Sequence, residues 1–225
     1  FYNTFYNSLY KNQFYYILNL YNYMNINELE TGDMILFNGN YMLSKIIEYF
    51  THSIYSHVGV IIKDPCFENL FLKGLYVLES GYEPKADPEN NRIKYGVQLT
   101  KLDTFLNNYD GKIFIRKLHC KRNKLFYDKI IQIHSNVHNL PYDLNPIDWI
   151  KAEFDIEIGN VQKNNTFWCS ALVCYFYIKL GFLNNDIPWT LISPQDLSSH
   201  SNKLQFNNCV MTNDTELIFN KYKSK

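Results

Sequence analysis

The chain has 225 residues, 46% of them hydrophobic and 20% charged, with 22 Lys and Arg set against 22 Asp and Glu. That apolar content suits one well-packed core and excludes a disordered chain, while zero formal net charge without a basic stripe excludes a nucleic-acid partner. Five cysteines at wide, irregular positions (Cys66, Cys120, Cys169, Cys174, Cys209) contain no C-x-x-C pair. Neither a disulfide framework nor a cysteine–histidine zinc site is therefore expected, and free thiols fit a reducing compartment.

Residues 3–23 carry Phe5, Leu9, Phe14, Ile17, Leu18 and Tyr21 on one face, which predicts an N-terminal helix. Thr31-Gly32-Asp33 is turn chemistry, and Met34 to Phe37 is a short apolar strand. "SKIIEYFT" predicts a short helix, "SHVGVII" (Ser56 to Ile62) a β-branched strand and "LYVLES" (Leu75 to Ser80) another. Residues 81–95, with two Pro and mixed charge, form a surface excursion. "YGVQLTKLDTFL" predicts a strand end followed by a helix capped at Thr100. "GKIFIRKL" alternates with period two, Ile113 and Ile115 against Lys112, Phe114 and Arg116. Residues 123–139 predict a helix with Phe126, Ile130, Ile133 and Val137 inward, and His134 and His138 off that face. A further helix spans 167–180 and stops at Gly181; "KLQFNNCVM" predicts a last strand, and the final dozen residues a loose tail. No apolar run reaches membrane-spanning length, so a chain without a transmembrane segment is expected. Strands grouped ahead of helices predict an α+β fold with a small antiparallel sheet. The expected organisation is an N-terminal helical extension (1–27), a main domain (28–200) and a C-terminal strand and tail (201–225).

Candidate chemistry centres on "NNTFWCSALVCYFYIKLG". With Asn165 or Thr166 as cap, Cys169 falls at the N-terminal end of its helix, where the helix dipole favours thiolate and backbone amides can hold an oxyanion. Cys174 lies deeper in the apolar run and reads as filler. A thiol nucleophile needs a base, and the base an orienting group. His57 opens the strand "SHVGVII", and Glu79 lies on the next strand, within reach of the imidazole if the two strands pair. Each of these residues alone has a bland reading: a core thiol, a half-exposed strand histidine, a strand-end carboxylate.

Taken together, "TGDMILF", "SIYSHVGVII", "YVLES", "YGVQLTKL", "PYDL" and "WCSALVCYFYIKLG" resemble the NlpC-type cysteine peptidase superfamily in its circularly permuted branch. The nearest likeness is to YiiX-like permuted papain-like amidases with their poxviral relatives, and more distantly to the lecithin–retinol acyltransferase group. The resemblance covers about residues 30–197, with the histidine ahead of the cysteine. It implies a papain-like domain with the nucleophile helix packed on a small antiparallel sheet. It also implies Cys169 as nucleophile, His57 as general base, Glu79 as the third polar residue, and Tyr142 of "PYDL" as an oxyanion donor. Trp168, in place of an acidic or small residue, and Tyr55 are expected to line the substrate site, with 81–95 and 143–165 flanking the cleft as lids.

The expected activity is that of a cysteine hydrolase or acyltransferase, cleaving an amide or ester bond through a thioester. The expected substrate is an acyl compound (lipid, lipopeptide or peptide), with no cofactor, no metal and contact with membranes at most peripheral. A catalytically inactive papain-like binding or virion-associated module is the alternative. The expected location is cytoplasmic, or in a virion by analogy with the poxviral relatives.

Overall fold

The computed structural model describes residues 23–39, 54–68, 70–143 and 165–218. The expected helices over 3–23 and in "SKIIEYFT", and most of 143–165, lie outside the described residues; Tyr23, the one described residue of the first, begins the strand Tyr23–Met24.

Seven strands make the main sheet: β1 (Tyr23–Met24), β2 (Met34–Gly39), β3 (His57–Lys63), β6 (Leu75–Tyr82), β7 (Tyr95–Lys101), β8 (Gly111–Arg116) and β11 (Thr215–Leu217). Two short antiparallel pairs lie beside it, the hairpin β4 (Cys66–Phe67) with β5 (Leu70–Phe71), and β9 (Leu118–His119) with the distant β10 (Val210–Met211). The order is β1-β11-β8-β2-β3-β6-β7, antiparallel except for the β1–β11 edge pair. Three α-helices are described: α1 (Leu102–Asn108), α2 (Lys124–Val137) and α3 (Cys169–Leu180). The fold is α+β.

β2 is central, which explains its unbroken apolar run. Met34 and Leu36 enter the core shared with α2 and α3, while Ile35 and Phe37 enter a second core under α1. A strand covered on both faces is apolar at every position rather than alternating. β3, β6 and β7 divide in the same way, Val58, Val60, Leu78, Val97 and Leu99 to one side and Ile61 and Val77 to the other.

α3 runs through the larger core. All of its residues except Lys179 are buried, and Gly181 ends it at a φ of 85°, a conformation that favours glycine. α2 has the expected inward residues Phe126, Ile130, Ile133 and Val137, capped by the Asn123 side chain on Phe126 N–H. His134, expected off this face, is also buried, because Phe67 of β4 stacks on its ring at 3.7 Å.

Other sequence expectations shift for local reasons. Arg116, expected outward, is buried and donates to the carbonyls of Leu197 and Thr212. The expected final strand shrinks to Val210–Met211, and Thr215–Leu217, read as tail, enters the main sheet beside β8. Residues from both flanking segments, 23–24 and 215–217, thus pair within the same sheet as the central one. Among the described residues, no helix is long and apolar enough to cross a membrane.

Candidate active site

Cys169 is the first residue of α3, and its side-chain surroundings leave it 7% exposed. The cap is Trp168, not Asn165 or Thr166, and it makes no side-chain capping hydrogen bond; the Thr166 hydroxyl goes to Asp143 instead, at 3.1 Å. The helical ladder begins with Leu172 N–H donating to Trp168 O at 3.1 Å. The amides of Cys169, Ser170 and Ala171 precede that ladder and form the positive end of the helix dipole. Cys174 is fully buried, and burial, followed by the charge of Asp196, pushes its thiol pKa far up. The two cysteines of α3 are thus separated by environment.

His57 opens β3, three residues beyond the last register pair with β6, Val60–Leu78. Its Nε2 lies 2.6 Å from Oε2 of Glu79, which is 1% exposed. The other carboxylate oxygen, Oε1, accepts from the Thr100 hydroxyl at 2.6 Å. Thr100 is therefore not the helix cap expected from the sequence: the cap of α1 is Lys101, and Thr100 sits in β7, where its hydroxyl orients Glu79. Phe37 and Phe105 wall the imidazole at ring distances of 5.4 and 6.4 Å. Gly81 makes the close approach feasible, since a Cβ there would stand 3.0 Å from Glu79 Oε2 and 3.3 Å from His57 Cε1.

Burial works to lower the His57 pKa, but side-chain hydrogen bonds with Cys169 and then Glu79, and the negative charges of both, carry it up to about 10. With Nε2 engaged by Glu79, Nδ1 is the ring nitrogen left to face the sulfur. His57, Glu79 and Thr100 thus form one hydrogen-bonded line, with Cys169 acting on the same imidazole.

A strap of backbone contacts sets Cys169 in place. Phe167 O accepts from the Ser80 hydroxyl at 2.5 Å, one residue along β6 from Glu79, and Phe167 N–H donates to Pro141 O at 3.2 Å. Pro141–Tyr142 in turn lies against the start of β7, with Tyr142 N–H donating to Tyr95 O at 3.2 Å. Gly96, at a φ of 153°, permits this, because a Cβ would meet Leu140 O at 2.3 Å. The contacts bring Tyr142 beside the site despite its distance from Cys169 in sequence. Its pKa is raised well above the ordinary value by burial and then by the Cys169 charge.

Tyr95, which the sequence reading passed over, stacks on Tyr142 at 4.5 Å, and its pKa too is raised by burial and by Cys169. Glu83 is a second addition: burial and the charge of Glu79 lift its pKa to about 7. Gly81 and Glu83 follow Glu79 at the strand parity of two, a signal the sequence did contain. Thr100 and Tyr95 depend on the β6–β7 register, which it did not.

One expected site residue is placed elsewhere. Tyr55 is fully buried, its hydroxyl donating to Asp214 Oδ2 at 2.7 Å and its ring edge-on to Phe114, so it has no surface to offer a substrate. Trp168 caps α3 directly before Cys169 and, at 6% exposed, is buried to the same degree as the cysteine. The accessible aromatic surface beside Cys169 belongs to Tyr95 instead, with Tyr82 edge-on to it at 6.4 Å.

The arrangement makes a definite titration prediction. Because Glu79 raises the His57 pKa, Glu79→Gln lowers it from about 10, read by NMR titration of the imidazole. The native pKa lies above the unfolded value of ~6.5, so the stability this histidine contributes is complete below that pH and is lost as pH rises through about 10. In Glu79→Gln the loss is complete at lower pH. An unchanged His57 titration would rule out the charge coupling.

No family model matches the chain, and no curated protein does. Among solved structures it is similar to the metalloprotein YiiX from Escherichia coli O157:H7, at 23% identity and a TM-score of 0.43. The match covers 66% of this chain and 64% of that one, so the chain spans less than two thirds of its neighbour's length.

Proposed function

We propose that this chain is a cysteine-dependent hydrolase or acyltransferase of the permuted papain-like type, acting on an amide or ester of an apolar acyl group. The observation that carries the reading is the line from Cys169 at a helix start through His57 to a buried Glu79, itself held by Thr100. A packing cysteine needs no such partners, and a chain of nucleophile, base and orienting carboxylate is what acyl transfer requires.

In the proposed reaction the Cys169 proton passes to His57, and the sulfur attacks the carbonyl carbon. Glu79 steadies the resulting imidazolium. The amides at the start of α3, joined by the Tyr142 hydroxyl, hold the oxyanion; one such donor is worth about a hundredfold or more in rate. Collapse breaks the bond to nitrogen or oxygen, and His57 gives its proton to the leaving amine or alcohol. Neutral His57 then takes a proton from water or another acceptor, whose oxygen attacks the thioester and releases the acyl group and the Cys169 sulfur. The apolar steps Tyr82, Tyr95 and Tyr142 support an acyl chain or aromatic group lying on that side.

Selective alkylation tests the reading. At pH 6 a thiol of the usual pKa near ~8.5 is almost wholly protonated and slow. Iodoacetamide is expected to label Cys169 faster than the exposed Cys66, with Cys174 unlabelled and Cys209, its pKa pushed up to about 11 by burial and Cys120, slow. His57→Ala slows Cys169 labelling towards the Cys66 rate. Equal rates in the unmodified protein defeat the proposal and leave an inactive binding module.

A further inference from the structure

We infer that Glu89, His134 and His138 form a binding site for one divalent transition-metal ion, zinc by preference, that fastens the 83–95 excursion to α2. This site is separate from the Cys169 line and does not depend on the activity proposed for it.

The three residues converge from two elements. His134 lies in the last turn of α2 and His138 is the residue that caps its C-terminus, their rings stacked at 4.9 Å, and Glu89 reaches them from the excursion. Each offers one ligand atom, and the three atoms lie within 4.8 Å of one another. Glu89 Oε1 is 2.8 Å from His134 Nε2, and Oε2 is 3.2 Å from His138 Nε2. The side chains of Glu89 and His134 are only 6% and 7% exposed, whereas His138 is 28% exposed.

Distance alone would suit a Glu–His ion pair. The directions do not. Among the described residues, the buried atoms His134 Nε2, His138 Nε2 and Glu89 Oε2 make no hydrogen bond. Close approach without a directed N–H···O bond is what results when nitrogen and oxygen lone pairs aim at a shared point. Three buried polar atoms left in that state cost free energy that a cation would recover. A tetrahedral zinc ion with bonds near 2.0–2.1 Å separates its ligands by roughly 3.3 Å; the two Glu89–histidine contacts are 2.8 and 3.2 Å, and all three ligand atoms lie within 4.8 Å.

Packing and hydrogen bonds hold the three side chains and the excursion in place. Phe67 lies flat on His134, blocking rotation of that ring. Asn139 Oδ1 accepts from Asn90 and Lys94 of the excursion, and its Nδ2 donates to His138 Nδ1 at 3.2 Å, a contact that metal binding through Nε2 exchanges for an Nδ1–H donor. The Asp87 carboxylate accepts from Glu89 N–H at 2.9 Å and pairs with Lys94 at 2.5 Å. Two imidazoles and a carboxylate are a nitrogen–oxygen set that zinc accepts, leaving one position for water on the His138 side. This set uses no cysteine, so cysteine–histidine spacing in the sequence does not reveal it.

Full-length protein stripped with a chelator is titrated with zinc chloride by calorimetry, and cobalt(II) chloride serves as the spectroscopic probe. One zinc per chain is expected, with visible cobalt d–d absorption but no thiolate-to-cobalt charge-transfer band. Glu89→Gln, which keeps the side-chain shape, and His138→Ala are each expected to weaken zinc binding at least tenfold, while Cys169→Ala leaves it unchanged. Absence of saturable zinc binding by the unmodified protein overturns the inference, and needs no variant to fold. A thiolate–cobalt band, or undiminished zinc affinity in Glu89→Gln, overturns it equally, because the metal would then sit elsewhere.

Discussion

Cys169→Ala is expected to abolish acyl transfer while leaving the protein folded. Removing the nucleophile of a cooperating group typically costs about a thousandfold to a millionfold in kcat, and removing its base costs about as much, because the members act as a unit. His57→Ala should therefore fall to the same floor, and the double variant no lower. The structural cost is small: Cys169 occupies the first position of α3, where alanine is well accommodated and where only one sulfur atom is lost. A change of that kind is worth about 1 kcal/mol or less. Cys174→Ala is the matched control. It removes a fully buried sulfur and should destabilise more, yet leave turnover intact. The measurement is kcat/KM across phospholipid, lipopeptide, muropeptide and ubiquitin-like thioester substrates, with intact mass to detect acyl-Cys169. Turnover that survives in Cys169→Ala would sink the mechanism outright.

The three principal residues of this site were legible because each chemical role restricts residue type and local position. A thiol at a helix start, a histidine at a strand start and a carboxylate among apolar residues are unusual separately and coherent together. What supports them was less legible, for a physical reason: support comes from register. Thr100 looked like a cap because a threonine before a helix usually is one. Only the pairing of Glu79 with Gln98 sets Thr100 diagonally across from the carboxylate. Tyr55 misled in the opposite direction. Its closeness to His57 in sequence suggested the cleft, but Asp214, far along the chain, draws it into the core. Strands long enough to show alternation or a continuous apolar run, such as β2, β3, β6 and β8, were recognisable. Thr215–Leu217 is three residues long and carries no period at all; it becomes a strand only because β8 offers an edge.

The motif Thr31-Gly32-Asp33 shows how much a turn signature can conceal, and it yields the largest expected stability effect. The Asp33 carboxylate is fully buried. Oδ2 accepts from Glu30 N–H at 2.8 Å and from Lys117 Nζ at 2.5 Å, and Oδ1 accepts from Leu118 N–H at 3.0 Å, with Arg122 at 3.4 Å. Its backbone carbonyl takes Ile61 N–H of β3, and the Gly32 carbonyl takes the Tyr177 hydroxyl of α3, both at 2.8 Å. One side chain therefore joins the turn before β2 to β9, and its neighbour joins that turn to the core helix. Asp33→Ala deletes the acceptor and strands two amides and two cations, a loss of about 3–5 kcal/mol when one partner of a buried pair is removed. Lys117 and Arg122 retain some solvent contact, which places the expected value at the lower end. At ~2–4 °C per kcal/mol for a chain of this size, the melting temperature should fall by roughly 10 °C. Asp33→Asn keeps an acceptor but loses the charge, so it should fall between Asp33→Ala and the unmodified protein. Tyr177 lies two turns along α3 from Cys169, so the folded fraction of Asp33→Ala should still alkylate Cys169 at the normal rate. Denaturant unfolding followed by that alkylation assay separates the two effects. A destabilisation under about 1 kcal/mol would mean that the buried charge contributes little beyond what an apolar replacement would.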